Sequence, residues 1–197
     1  MLTFTTLRRL GLMALSVIAS NAWAHVDADA THAHATFFSG VLHPLSGIDH
    51  LAAMVAVGIW SALALRQAWV APVIFATAMG GGILLGSVGL DHLAIEPMIA
   101  ASVLVIGVLV AARQALSVHV ALVLISVFGL CHGAAHGIAL QGSVTVTPMV
   151  GMLLATMVLH MLGVVMGQRA FAQRVWLQRV SGGAFAALGV ALLSSFA

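Results

Sequence analysis

"SGVLHPLSGIDHLAAMVAVGIW", residues 39–60, sets a proline, two histidines and an aspartate ("HPLSGIDH", 43–50) directly against a long apolar run. The run continues to about residue 65 and lacks the period-two alternation of a barrel strand. An apolar stretch of that length reads as a helix that crosses a bilayer. Ionisable groups at the mouth of such a helix are costly and mark function more often than packing.

The rest of the chain agrees with that reading. Of 197 residues, 62% are hydrophobic and 6% are charged. A soluble domain carries about 25% charged residues, so this chain cannot cover a water-facing surface. Apolar segments recur at about 43–65, 69–90, 96–112, 117–139, 148–166 and 180–196. Only helices and closed barrels satisfy the backbone inside lipid, and continuous apolar runs do not suit a barrel. The predicted fold class is all-α: a polytopic membrane protein with six transmembrane helices after a cleavable signal peptide. The abundant glycines, as in "MGGGILLGSVG" (79–89), Gly151, Gly163 and Gly167, suit close helix packing.

Residues 1–24 read as the signal peptide. Arg8 and Arg9 form its positive start, Leu10 to Ala19 its apolar stretch, and "NAWA" ending at Ala24 its cleavage site. An uncleaved anchor is the alternative, and both place residue 25 outside the cytoplasm. Residues 25–197 then form one six-helix transmembrane domain, opening with a short exposed segment (25–36) that holds His25, Asp27, Asp29, His32 and His34. From that start, Arg66, Arg113 and the group Arg169, Arg174 and Arg179 fall in three successive inner loops. Arginine on one side only is the positive-inside pattern. The mature N-terminus and the C-terminus are expected outside, in the periplasm of a cell with an inner membrane. The lipid bilayer is the expected surrounding. The basic pI of about 10.1 comes from a few arginines with no basic run, so no nucleic-acid partner is expected. Cys131 is the single cysteine and forms no internal disulfide.

Ten histidines outnumber the five acidic residues. Histidine is the commonest metal ligand. In a straight helix, Pro44 fits the first turn with His43 as cap, and His50 returns to within about 20° of His43 but about 10 Å away along the axis. That is too far to share one ion unless Gly47 and Pro44 distort the turns. Two stations on an access path are therefore expected, with Asp49 or His50 meeting a second pair deeper in the bundle. The alternative is a histidine cap plus an Asp–His pair that holds helices together. The second pair is in "CHGAAHG" (131–137), where His132 and His136 stand at i and i+4 on one helix face with only small residues between. Packed histidines bonded to carbonyls are the plainer reading. "LDHLAIEP" (90–97) is a turn in which Glu96 either favours the positive end of its helix or acts as a ligand. His160 stands alone in the fifth segment, where packing competes with ligation. Imidazole with a few carboxylates suits Ni²⁺, Co²⁺, Zn²⁺ or Cu²⁺ and not Mg²⁺ or Ca²⁺.

"HPLSGIDHLAAMVAVGIW" and "HGAAHG", with "EPMIAASVLVIG" and the signal peptide, resemble the HupE/UreJ family of nickel and cobalt permeases over essentially the whole chain. The resemblance implies uptake of Ni²⁺ or Co²⁺ across the inner membrane for hydrogenase or urease maturation. It carries over His43, Asp49 and His50 as residues of one motif and His132 and His136 as residues of the other. The family's second motif starts with Phe and ends with Glu, whereas this chain has Cys131 and Ala139. Asp49 and Glu96 are the carboxylates left to compensate.

The expected function is thus a non-ATP transporter or channel for a divalent transition-metal ion. It is not an enzyme and has no permanently bound cofactor. The metal residues are His43, Asp49, His50, His132 and His136, with His25, His32, His34, Glu96 and His160 as further candidates. A cytochrome b-like haem protein is the alternative, with His132 and His160 as axial ligands. An intramembrane metallohydrolase fits less well, because Gly133 stands where a zinc protease helix has its glutamate base.

Overall fold

The computed structural model describes residues 36–88, 94–113, 116–139 and 146–196. The signal peptide, His25, His32, His34 and the Asp91–His92 turn lie outside the described residues. The described residues form seven α-helices and no strand. They are α1 (Phe37–Ser46), α2 (Ile48–Ala64), α3 (Val70–Ser87), α4 (Ile95–Ala112), α5 (Val118–Ala139), α6 (Val146–Met166) and α7 (Val175–Ser194).

The first apolar segment is not one helix. It starts earlier than expected, because Thr36 and Ser39 cap each other: Ser39 N–H donates to Thr36 Oγ1 at 3.2 Å, and Thr36 N–H donates to Ser39 Oγ at 3.0 Å. Reciprocal capping of this kind satisfies two orphan donors of the first turn. His43 and Pro44 therefore lie near the end of α1, not at the cap and first turn of a spanning helix. Pro44 removes one helical hydrogen bond, and Gly47 takes an extended conformation (φ −100°, ψ 122°). The chain turns through 86° there before α2 begins. Asp49 then sits in the first turn of α2, where a negative charge is favoured.

Five helices, α3 to α7, are each long and apolar enough to cross a membrane, and α1 with α2 makes a sixth candidate if the bent pair counts as one span. Large apolar side chains such as Leu84, Leu85, Val123, Val158 and Val190 face outward. An apolar outside suits lipid, not water. The last helix begins at Val175, before the expected residue 180, so Arg179 is helical and not in a loop. Ahead of it, α6 widens into a π-helical turn, Gly167–Phe171. Gln178 Nε2 donates to the Phe171 carbonyl at 2.5 Å and ties that turn to α7.

Glycine contacts fix the register of the bundle. On α5, Gly129, Gly133 and Gly137 form one stripe, and they lie on the backbone of α3 at Phe75, Met79 and Ile83 in turn. In return, Gly82 and Gly86 of α3 meet Leu130 and Ala134 of α5. The rising numbers on both sides show that α3 and α5 run parallel. Gly58 of α2 meets His160 and Gly163 of α6, and Gly167 meets Ile59, so these helices are parallel too. Between α4 and α7 the order reverses, from Leu104 against Gly189 to Ala111 against Gly182. Directions therefore alternate along the chain from α2 to α7. Arg66, Arg113, Arg169 and Arg174 gather at one end of the bundle, and Gly47, Glu96 and the end of α5 lie at the other.

These contacts are backbone on backbone, which a methyl group would force apart. Overpacking of this kind costs about 1–3 kcal/mol. Gly133→Ala would press on the Met79 carbonyl, whereas Gly183 on α7 has no neighbour within 4 Å. In detergent-purified protein, Gly133→Ala is expected to lower the thermal midpoint by about 5 °C. Gly183→Ala should leave it unchanged or raise it, since alanine favours helix over glycine. Equal effects from the two substitutions, measured by thermal melting, would contradict this packing.

Candidate functional site

The end of the bundle away from the arginines gathers imidazoles. The turn at Gly47 swings His43 back over the bundle, so its ring centroid stands 4.8 Å from that of His136. His50, in the first turn of α2, lies 4.7 Å from His136 and 5.2 Å from His132. The rings of His43, His50, His132 and His136 form one continuous cluster drawn from α1, α2 and α5. The separation of about 10 Å expected for His43 and His50 on a straight helix does not apply, because the helix is broken between them. The expected meeting of His50 with His132 and His136 is present as ring contact.

Local structure explains the arrangement. His132 and His136 share a face of α5 next to the stripe of Gly129, Gly133 and Gly137. That stripe lets the α3 backbone come close beside the imidazoles and brings the Phe75 ring to 5.1 Å from His132. The small residues of "HGAAHG" thus admit a helix. Gly47 has a second use: a Cβ there would meet Asp49 Oδ1 at 2.6 Å and His50 Nδ1 at 3.2 Å.

The donor atoms are poorly satisfied by the protein. Asp49 Oδ1 lies 3.0 Å from His50 Nδ1, an ion-pair approach without the geometry of a hydrogen bond. His132 Nδ1–H donates to the Phe128 carbonyl at 2.8 Å. A carbonyl only accepts, so the neutral ring keeps its lone pair on Nε2. The Nε2 atoms of His50, His132, His136 and His160 are all buried with no hydrogen-bond partner among the described residues. A buried unsatisfied polar group costs about 1–3 kcal/mol, and four of them form an expense that packing alone does not explain. His43 meets His136 and His50 meets His132 edge to face, while His50 is tilted against His136. Among the described residues, no three His, Cys, Asp or Glu side chains stand ready to hold a metal ion. Side-chain rotation is needed before they could converge.

The remaining candidates fall elsewhere. Glu96 is exposed in the first turn of α4, at the same end of the bundle but in no ion pair among the described residues. Ser102 donates to the Ile99 carbonyl of its own helix at 2.6 Å. His160 is fully buried in α6, deeper than the cluster, with its ring 4.9 Å from Phe75. Phe75 therefore touches both His132 and His160. Its importance was hidden in the sequence, because one phenylalanine in an apolar run carries no signal of its own. The same ring speaks against haem between these two histidines, since a porphyrin would have to take its place.

Comparison with known proteins agrees on the kind of chain this is. The family model described as HupE / UreJ protein matches residues 13–192. The "Protein HupE" of Rhizobium leguminosarum bv. viciae is 39% identical over 184 residues, covering 92% of this chain and 94% of that protein. No solved structure matches. A family match of this extent, on an all-helical apolar bundle with both histidine motifs at one end, means that the chain belongs to the HupE/UreJ family.

Proposed function

We propose that the protein takes up a divalent transition-metal ion, Ni²⁺ or Co²⁺, across the membrane through the cluster of His43, Asp49, His50, His132 and His136. One observation carries the reading: the buried Nε2 atoms of His50, His132 and His136, without hydrogen-bond partners among the described residues, stand together from α2 and α5 at one end of an apolar bundle, with the ring of His43 from α1 against His136. Imidazole is a favoured ligand for these ions. Family membership supports the same metals. Asp49 adds one negative charge beside His50 and is the carboxylate nearest the rings, in the absence of the family's glutamate at position 139. Zn²⁺ and Cu²⁺ fit the same donors and are the competing cargoes.

The protein acts in this reading as a carrier or channel and not as an enzyme. The arginine-bearing end faces the cytoplasm by the positive-inside rule, so the imidazole end receives the ion from outside. An uptake site must hold its ion firmly enough to capture it and loosely enough to release it. A cluster that needs side-chain rotation to close around the ion meets both demands better than a rigid cage.

In cells expressing the protein, accumulation of Ni²⁺ or Co²⁺ is expected to fall at least tenfold for His50→Ala and for His132→Ala relative to wild type. Accumulation equal in all three would remove the reading. A subtler change tests the Asp49–His50 pair. Gly47→Val would crowd both side chains and should raise the Co²⁺ concentration for half-maximal uptake by about tenfold, the size typical of lost ligand orientation. Uptake kinetics in proteoliposomes would show whether that shift occurs.

A further inference from the structure

We infer that His160 is a second, inner station for the ion, set behind the outer cluster and linked to it by the ring of Phe75. The inference rests on the transport reading of the outer cluster and extends the route into the bundle.

The geometry of His160 repeats that of His132. Its Nδ1–H donates to the carbonyl four residues back, that of Thr156, at 2.7 Å, as His132 does to Phe128 at 2.8 Å. In both rings this fixes the lone pair on Nε2. In both, Nε2 is buried with no hydrogen-bond partner among the described residues. His160 is 0% exposed. Both rings pack on Phe75, at 4.9 and 5.1 Å between centroids, so one aromatic ring touches two imidazoles presented in the same tautomer.

The surroundings hold His160 in place. Gly58 of α2 packs directly on the His160 carbonyl, so the backbone there cannot slide away. One turn before His160, Thr156 donates its hydroxyl to Met79 Sδ at 3.5 Å. Met79 lies one turn beyond Phe75 on α3. The pairs Phe75/Met79 and Thr156/His160 thus form a wall between α3 and α6. His136 is near the His-bearing end of α5, and His132 is about 6 Å further in. Phe75 and His160 continue that inward order. A single imidazole leaves an ion most of its water and binds it weakly, which suits a step that must pass the ion on. Movement from His132 to His160 requires the Phe75 ring to turn aside.

The test is Co²⁺ uptake into proteoliposomes containing the full chain, comparing wild type with His160→Leu and His160→Met. A donor role predicts that His160→Leu lowers the maximal rate at least tenfold. The concentration for half-maximal uptake should stay at the wild-type value, because capture by the outer cluster is intact. His160→Met supplies a thioether donor and should keep at least a third of the wild-type rate. If His160→Leu does not fold, as read by thermal melting, His160→Phe takes its place in the same comparison. Wild-type rates from the apolar variant, or a methionine variant as slow as the apolar one, would overturn the inner station while leaving the outer site standing. No Co²⁺ uptake by the wild type would overturn the transport reading and this inference with it.

Discussion

Close approach between α3 and α5 is the constraint on which the site depends. Gly129, Gly133 and Gly137 let the two backbones touch at Phe75, Met79 and Ile83. Inside lipid there is no hydrophobic force to drive helices together, so packing of small residues carries much of the association. The neighbouring face of α5 bears His132 and His136. Its rotation is set by the glycine stripe, which faces α3. The same contact brings Phe75 against His132. Bulk on the stripe would therefore disturb the histidine site without touching any histidine.

The second determinant is the turn at Gly47. It brings His43, on one side of an 86° bend, and His50, on the other, to the same ring of His136. A straight helix would have held them apart. The bend also leaves α1 packed against the start of α6, where Gly40 meets Pro148 and Gly151 meets Phe37 and Val41. The imidazole end is thus built from the adjacent α1 and α2 and from α5, distant in sequence, which ties its geometry to the assembly of the bundle.

Stability and function pull in opposite directions at this end. Buried imidazole nitrogens without donors are unfavourable, and the bundle tolerates them in a row from His136 inward to His160. The carbonyl bonds at His132 and His160 satisfy one nitrogen of each ring and leave the other unsatisfied. The rest of the described interior is mostly apolar, built around Met54, Trp60, Phe75, Met79 and Ile106, with Ser61, Ser102, Thr156 and Gln178 as buried polar residues.

Composition and periodicity alone determined that this is an apolar helical bundle, with arginine at one end and histidine at the other. Hydrophobic length and loop charge are local quantities, so a single chain displays them in full. The i, i+4 spacing of His132 and His136 was legible for the same reason. The break at Gly47 was legible only as an alternative to a straight helix, because Thr36, Pro44 and Gly47 each fit several backbone paths. The contact of Phe75 with both His132 and His160 was not legible. A side chain on α3 meets residues on α5 and α6 only after glycine packing has fixed the distance and rotation of three helices, and no local pattern encodes that.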